Sequence, residues 1–406
     1  KLQLSTLSRH MRWRLAPTQP QHQLRQLKKL FHTSTTNRAP PVLVVVLMKP
    51  LLKMATALTA RVARRKWSKF KPETKEKYLA YLSARRRLLI GGGISCCVGC
   101  LGYYAWHLER APFTGRLRVV TISTERLNEY SRLGLNALLE DVLKEGAMYT
   151  SEHPYTRRVA EIIESLLPAA EKMFPDFYCR WRVCVIEDDE TVNAMCFSTG
   201  DILVYSGMLK FVENDHQLAF ILAHELAHVF IGHSRESVTI GNAVYTLVLL
   251  PLTALTWLFV PDIVAAFGYA IQDHLISIFL HMPFSRRLEL EADAVGLEIA
   301  SASCYDPREA ARFWELMDYM EEARESRVPE FLSTHPLSAD RASLLRGLQD
   351  RAIATRASCG CVPLGQRDQS PADSVYDLLR RGMQGLRNRF SGSHGNETDV
   401  SKNKRA

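Results

Sequence analysis

Residues 217–232 read QLAFILAHELAHVFIG, a run of helix-forming and apolar residues with two histidines and a glutamate in its middle. Asn214 or Asp215 can cap its start, so the stretch reads as one strong, buried helix. Positions four apart share a helix face, so His224 and His228 can point both imidazoles at one metal ion. Glu225 sits one step round, close enough to hold and deprotonate a water at that ion. Two histidines and a carboxylate in so apolar a helix are expensive to bury unless a metal compensates them. The metzincin variant is excluded, because Ser234 stands where its third histidine would be.

A second segment, ELEAD at 289–293, follows sixty-one residues after His228. Alone it would read as a solvated acidic helix face. Beside HELAH it reads differently. Glu289 and Asp293 are four apart, so Glu289 can be the third ligand while Asp293 orients a ligand histidine from behind. One tetrahedral zinc per subunit would then keep its fourth position open to water. Glu291 faces elsewhere on this register, and its removal should leave the metal in place.

HELAH, a long apolar insertion and SRRLELEAD (285–293) resemble the HtpX and CAAX-prenyl-protease peptidases. THP (334–336) followed by Arg341 matches that family's downstream segment, and the resemblance covers roughly 48–362. It implies an α+β, helix-dominated gluzincin-type domain with a small β-hairpin or sheet, with Glu289 as third zinc ligand and Arg341 near the site. Within the family the likeness is to the stress-activated metalloendopeptidases of the mitochondrial inner membrane. That branch implies a dynamin-like fusion GTPase as substrate, cleavage on depolarisation, autocatalytic cleavage and a lipid-binding matrix segment. Pro336 biases His335 toward extended backbone. Held near the metal, His335 could donate a hydrogen bond to the developing oxyanion. A loop histidine that only fixes the chain is the alternative, and both readings stay open.

The flanks speak to location. No Asp or Glu precedes Glu73, whereas sixteen Lys and Arg do. Residues 1–40 therefore read as a mitochondrial transit peptide. The formal charge of +9 is an N-terminal property, because 73–406 carry −7, which argues against a nucleic-acid binder. Residues 41–87 read as a basic amphipathic matrix segment, with Arg61, Arg64, Arg65 and Lys66 placed to meet anionic lipid, cardiolipin by the resemblance. Residues 88–106 hold no charge and follow Arg85, Arg86 and Arg87. They read as a transmembrane helix with its N-terminal side in the matrix and the domain in the intermembrane space. A second apolar run, 243–260, contains Pro251 and reads as a membrane-associated hairpin rather than a full crossing, since Asp262, Asp273 and His274 follow it.

Residues 107–365 make the zinc metalloprotease domain, and 366–406 a polar, disordered tail. Amphipathic helices are expected at 135–145 and 157–173, a strand at 181–186 and a hairpin over 193–206. A substrate backbone would add to that hairpin's free edge, and which strand forms the edge stays open. Cys304 can pair with Cys359 or Cys361, free thiols being the alternative. No phosphate-binding loop is visible, so hydrolysis should need no ATP. Protein substrates at the inner membrane are the expected partners, and a homo-oligomer is neither required nor excluded.

Overall fold

The computed structural model describes residues 41–276, 282–322, 331, 335 and 340–365. The transit-peptide reading at 1–40 and the tail at 366–406 lie outside the described residues, as do Thr334 and Pro336. The chain opens with α1 (Pro41–Lys69), α2 (Pro72–Ala84) and α3 (Arg86–Trp106). A short hairpin of β1 (Leu108–Arg110) and β2 (Leu117–Val119) follows, then α4 (Thr124–Glu145) and α5 (Pro154–Met173). β3 (Arg182–Ile186), β4 (Ala194–Cys196) and β5 (Asp201–Tyr205) form one sheet. After α6 (Ser206–Phe211) come α7 (Asp215–Ile231), α8 (His233–Val244), α9 (Leu250–Phe259) and α10 (Asp262–Ile276). α11 (Met282–Ala302), α12 (Arg308–Glu322) and α13 (Asp340–Ser358) complete the helices. All of these precede Val362, where a second unit of the chain begins. The fold is α+β and helix-dominated.

α7 is the centre of the core. Asn214 caps it by accepting the Gln217 N–H at 3.0 Å, and Gly232 ends it in the left-handed region at φ 83°. Leu218, Phe220, Ile221, Leu222, Leu226 and Ile231 are all at most 3% exposed, each contributing about 1.5–3 kcal/mol by burial. That apolar grip is what offsets the cost of carrying His224 and Glu225 into the interior. α11 crosses α7 at close range through Gly296, where a Cβ would sit 2.8 Å from the His224 Cα. Glycine at this crossing brings the acidic segment of α11 against the two histidines.

β5 is the middle strand, parallel to β3 and antiparallel to β4. Of the hairpin's two strands β4 is therefore the one at an edge, β3 forming the sheet's other edge. Cys304 pairs with Cys361, with Cα atoms 5.3 Å apart, and Cys359 remains a free, exposed thiol.

None of the α3 side chains is buried, and its sequence is long and apolar enough to cross a membrane. The run from α8 into α9 passes the same test. It widens into a π-helical turn at Tyr245–Leu249, just ahead of Pro251, which has no N–H to continue the α pattern. α9 and α10 form a hairpin, and its partner is α1. Lys53 Nζ reaches the Tyr269 carbonyl at 3.2 Å, and the Tyr245 hydroxyl donates to the Lys49 carbonyl. Three of the four residues expected to face lipid share one carboxylate: Arg61 and Arg65 lie 2.7 and 2.8 Å from Asp262, and Arg64 joins them.

Candidate metal centre

Four side chains bring one donor atom each to a common point. His224 Nε2, His228 Nε2, a Glu289 carboxylate oxygen and a His335 nitrogen all lie within 4.8 Å of one another. The two α7 nitrogens are 3.1 Å apart. Glu289 approaches them at 3.3 and 3.5 Å. All four residues are wholly or mostly buried. Helix register explains three of these positions: four residues separate the histidines along α7, and Gly296 lets α11 come close enough for Glu289.

His335 enters from the segment before α13. Its Nδ1 lies 2.8 Å from Glu289 Oε2 and 3.3 Å from His224 Nε2. Its Nε2 lies 3.2 Å from Glu225 Oε1. The structure thus brings His335 to the donor cluster, a placement that the sequence alone could not give. It also goes further than an oxyanion donor requires, since Nδ1 stands among the ligand atoms themselves. Glu225 is 4% exposed, and its other oxygen accepts the Cys196 N–H of edge strand β4 at 3.2 Å. The proposed base therefore touches the strand to which a peptide would add.

The outer supports are charged and buried. Asp293 Oδ1 lies 3.0 Å from His224 Nδ1. Arg341 is completely buried and donates to both Asp293 oxygens at 2.6 and 2.7 Å, with Glu289 Oε2 3.2 Å away. Its guanidinium stacks on the Trp314 ring, 3.5 Å from the centroid. Asp293 and Arg341, both named from the sequence, thus pair with each other behind His224.

Glu291 corrects the sequence reading. Its side chain is largely buried and lies 3.2 Å from His233 Nε2 and 2.7 Å from Arg116. Arg116 also grips Glu236 with two N–H groups at 2.7 and 2.6 Å. None of His233, Arg116 and Glu236 was singled out from the sequence. Five residues past His228 on a continuous helix, His233 would face away. The left-handed turn at Gly232 restarts the chain as α8 and brings the ring back.

Charge at the site is organised for a cation. Burial works against ionised Glu289, yet His228, His224 and His335 outweigh it and hold the carboxyl well below the usual range. Asp293 is likewise held low against its burial, by Arg341 and His224. Burial pushes His228 below its ordinary value although Glu289 opposes this. It also pushes His233 down to about 4 against the pull of Glu291. Burial opposes charge on His224 too, but Asp293 and Glu289 overcome it and raise that ring to about 9. The His224 and His228 nitrogens with the Glu289 carboxylate are the donor set of a divalent metal and fit one, while Asp293 braces His224 from behind.

Comparison with known proteins agrees with this geometry. The profile of peptidase family M48 matches residues 154–349, a span holding every one of these donor residues. The chain is 34% identical to the "Metalloendopeptidase OMA1, mitochondrial" of Danio rerio, over 87% of its own length and 74% of that protein. The chain belongs to peptidase family M48, among the OMA1 metalloendopeptidases. The human protein of that name is 30% identical, over 83% of this chain and 64% of its own length. A more distant relative, the "Beta-barrel assembly-enhancing protease" of Escherichia coli K12, is 30% identical over 39% of this chain and 32% of its own. As a family M48 chain with this donor set, the protein is a metallopeptidase.

Proposed function

We propose that the chain is a zinc metalloendopeptidase of the mitochondrial inner membrane that cleaves membrane-associated proteins, without ATP, in quality control and the stress response. The observation that carries the reading is Glu225. It is fixed between the amide of edge strand β4 and His335, beside the converging His224, His228 and Glu289. When bound, zinc would polarise the scissile carbonyl and acidify a water. The protein's own part is then clear. β4 holds the substrate backbone extended, Glu225 takes a proton on Oε1, and the same oxygen returns it to the leaving amine.

His335 contributes a hydrogen bond to the oxyanion as it forms. The purified chain should hydrolyse an unfolded polypeptide without nucleotide and stop when its metal is chelated. His335→Ala should turn over about 10²-fold more slowly with its metal in place. Loss of metal from that variant would make His335 a ligand instead. Hydrolysis that survives complete metal removal would end the proposal.

Location rests on the α3 helix, the acid-free N-terminus and the mitochondrial relatives. Arg85, Arg86 and Arg87 favour the N-terminal side in the matrix and the peptidase in the intermembrane space, a topology that requires the α9–α10 hairpin packed on α1 to reach through the membrane toward the matrix side. The hairpin supports membrane contact as well, since Phe259, Ile263 and Phe267 are exposed at 68% or more. Three guanidinium groups on the single Asp262 carboxylate leave surplus positive charge, and with Lys66 this cluster is proposed to meet anionic lipid such as cardiolipin. A dynamin-like fusion GTPase is the substrate proposed, on the strength of the sequence resemblance. Protease added to mitochondria with ruptured outer membranes should degrade the peptidase domain; a protected domain would reverse the topology.

A further inference from the structure

Each α7 histidine turns Nε2 toward the other donors and Nδ1 away from them. Behind His224 the outward nitrogen meets Asp293, which Arg341 clamps. Behind His228 it meets a second histidine, with His233 Nδ1 only 2.8 Å away. His233 Nε2 continues to Glu291 Oε2 at 3.2 Å. Glu291 in turn accepts Arg116 Nε at 2.9 Å and the Thr114 hydroxyl. His233 is 2% exposed, as is Glu236 on the far side of Arg116. This is a second acid-and-arginine support, one imidazole longer than the first.

We propose that His233, Glu291 and Arg116 are positioning residues that fix the tautomer and ring orientation of the metal ligand His228, a proposal that rests on the metal-site reading above. Proton placement follows from the contacts. A ligand His228 presents the lone pair of Nε2, so its proton is on Nδ1 and needs an acceptor. His233 Nδ1 is that acceptor, which leaves the His233 proton on Nε2, donated to the Glu291 carboxylate. Arg116 matches the charge of Glu291 and anchors it to Glu236. Outer hydrogen bonds of this kind orient a ligand and raise its basicity.

Position in the fold adds a consequence. Arg116 stands at the start of β2, in the hairpin that directly follows α3. Glu236 lies on α8, the helix that leads into the apolar α9–α10 hairpin. The chain from His228 to Arg116 therefore ties one metal ligand to both segments leading to apolar helices. Behind the other ligand histidine, Asp293 and Arg341 belong to α11 and α13.

The test uses the full chain in detergent, with zinc affinity read by chelator competition and the visible spectrum of the cobalt-loaded protein as a second readout. His233→Leu should bind zinc about 100-fold more weakly and Glu291→Gln about 10-fold more weakly, both with altered cobalt spectra. His233→Gln offers an amide oxygen to His228 and an amide N–H to Glu291, and should stay within about threefold of wild type. A merely structural role would not produce this rescue together with a shifted spectrum. Wild-type affinity and spectrum in both His233→Leu and Glu291→Gln would overturn the proposal while leaving the metal site standing. Should His233→Leu fail to fold, Glu291→Gln, which keeps its volume, decides alone. A wild-type chain that binds no zinc would overturn the metal-site reading, and this proposal with it.

Discussion

Glu225→Gln protein is expected to keep its metal and its fold and to lose hydrolysis by about 10⁴-fold. The substitution preserves shape, and the amide oxygen can still accept the Cys196 N–H that Glu225 accepts at 3.2 Å. The ligand atoms of His224, His228 and Glu289 are untouched, so metal content should match wild type. What disappears is proton capacity, because an amide cannot take the proton that a carboxylate takes from water. Most of the catalytic protonation chemistry rests on this one group, so the effect should sit at the upper end of general-base losses. The check is metal content and single-turnover peptide hydrolysis on the same preparation. Turnover within about tenfold of wild type, with metal present, would remove Glu225 from its assigned role.

Arg341→Met should give the largest loss of stability, about 3–5 kcal/mol. Arg341 is fully buried and donates two hydrogen bonds to Asp293, itself completely buried, with Glu289 3.2 Å away. Methionine removes the guanidinium from two buried carboxylates, leaving Asp293 only His224 and Glu289 only the histidines around it as charge partners. The stacked Trp314 ring loses its partner as well. Arg341→Lys should recover only part of the loss, since one ammonium cannot reproduce the planar fork that grips both Asp293 oxygens. Thermal and denaturant unfolding of the full chain measures this. A cost below about 1 kcal/mol for Arg341→Met would mean that the pair behaves like an exposed one.

Much of the site was legible because helix periodicity is a local property. The spacing of His224 and His228 needs only the 3.6-residue turn to place both on one face, and the same rule pairs Glu289 with Asp293. The apolar, uncharged run 88–106 announced α3 for an equally local reason, and structure and sequence agree on its bounds within two residues. The sheet was partly legible: alternation marked 181–186 and the hairpin, but nothing local says that β5 is flanked on both sides. Pairing order is a long-range choice, and it put β4 rather than β5 at an edge.

What only the tertiary structure decided involves residues whose partners lie far away in sequence. Glu291 looked idle because register on one helix says nothing about a neighbouring hairpin, and Arg116, its partner, lies 175 residues earlier. His233 could not be read as a partner of His228, because a straight helix would turn it away and the positive φ of Gly232 reverses that. That Arg61, Arg64 and Arg65 converge on Asp262, some two hundred residues on, could not be read from the sequence. His335 could be quoted from the sequence but not placed. Its ring reaches the metal ligands through contacts with Glu289 and Glu225 that no periodicity contains. The sequence by itself determined the chemistry, because ligand type and helical spacing are written in neighbouring residues. The packing of distant segments decided how that chemistry is braced, because charged groups take their partners from whatever the fold brings within 3 Å.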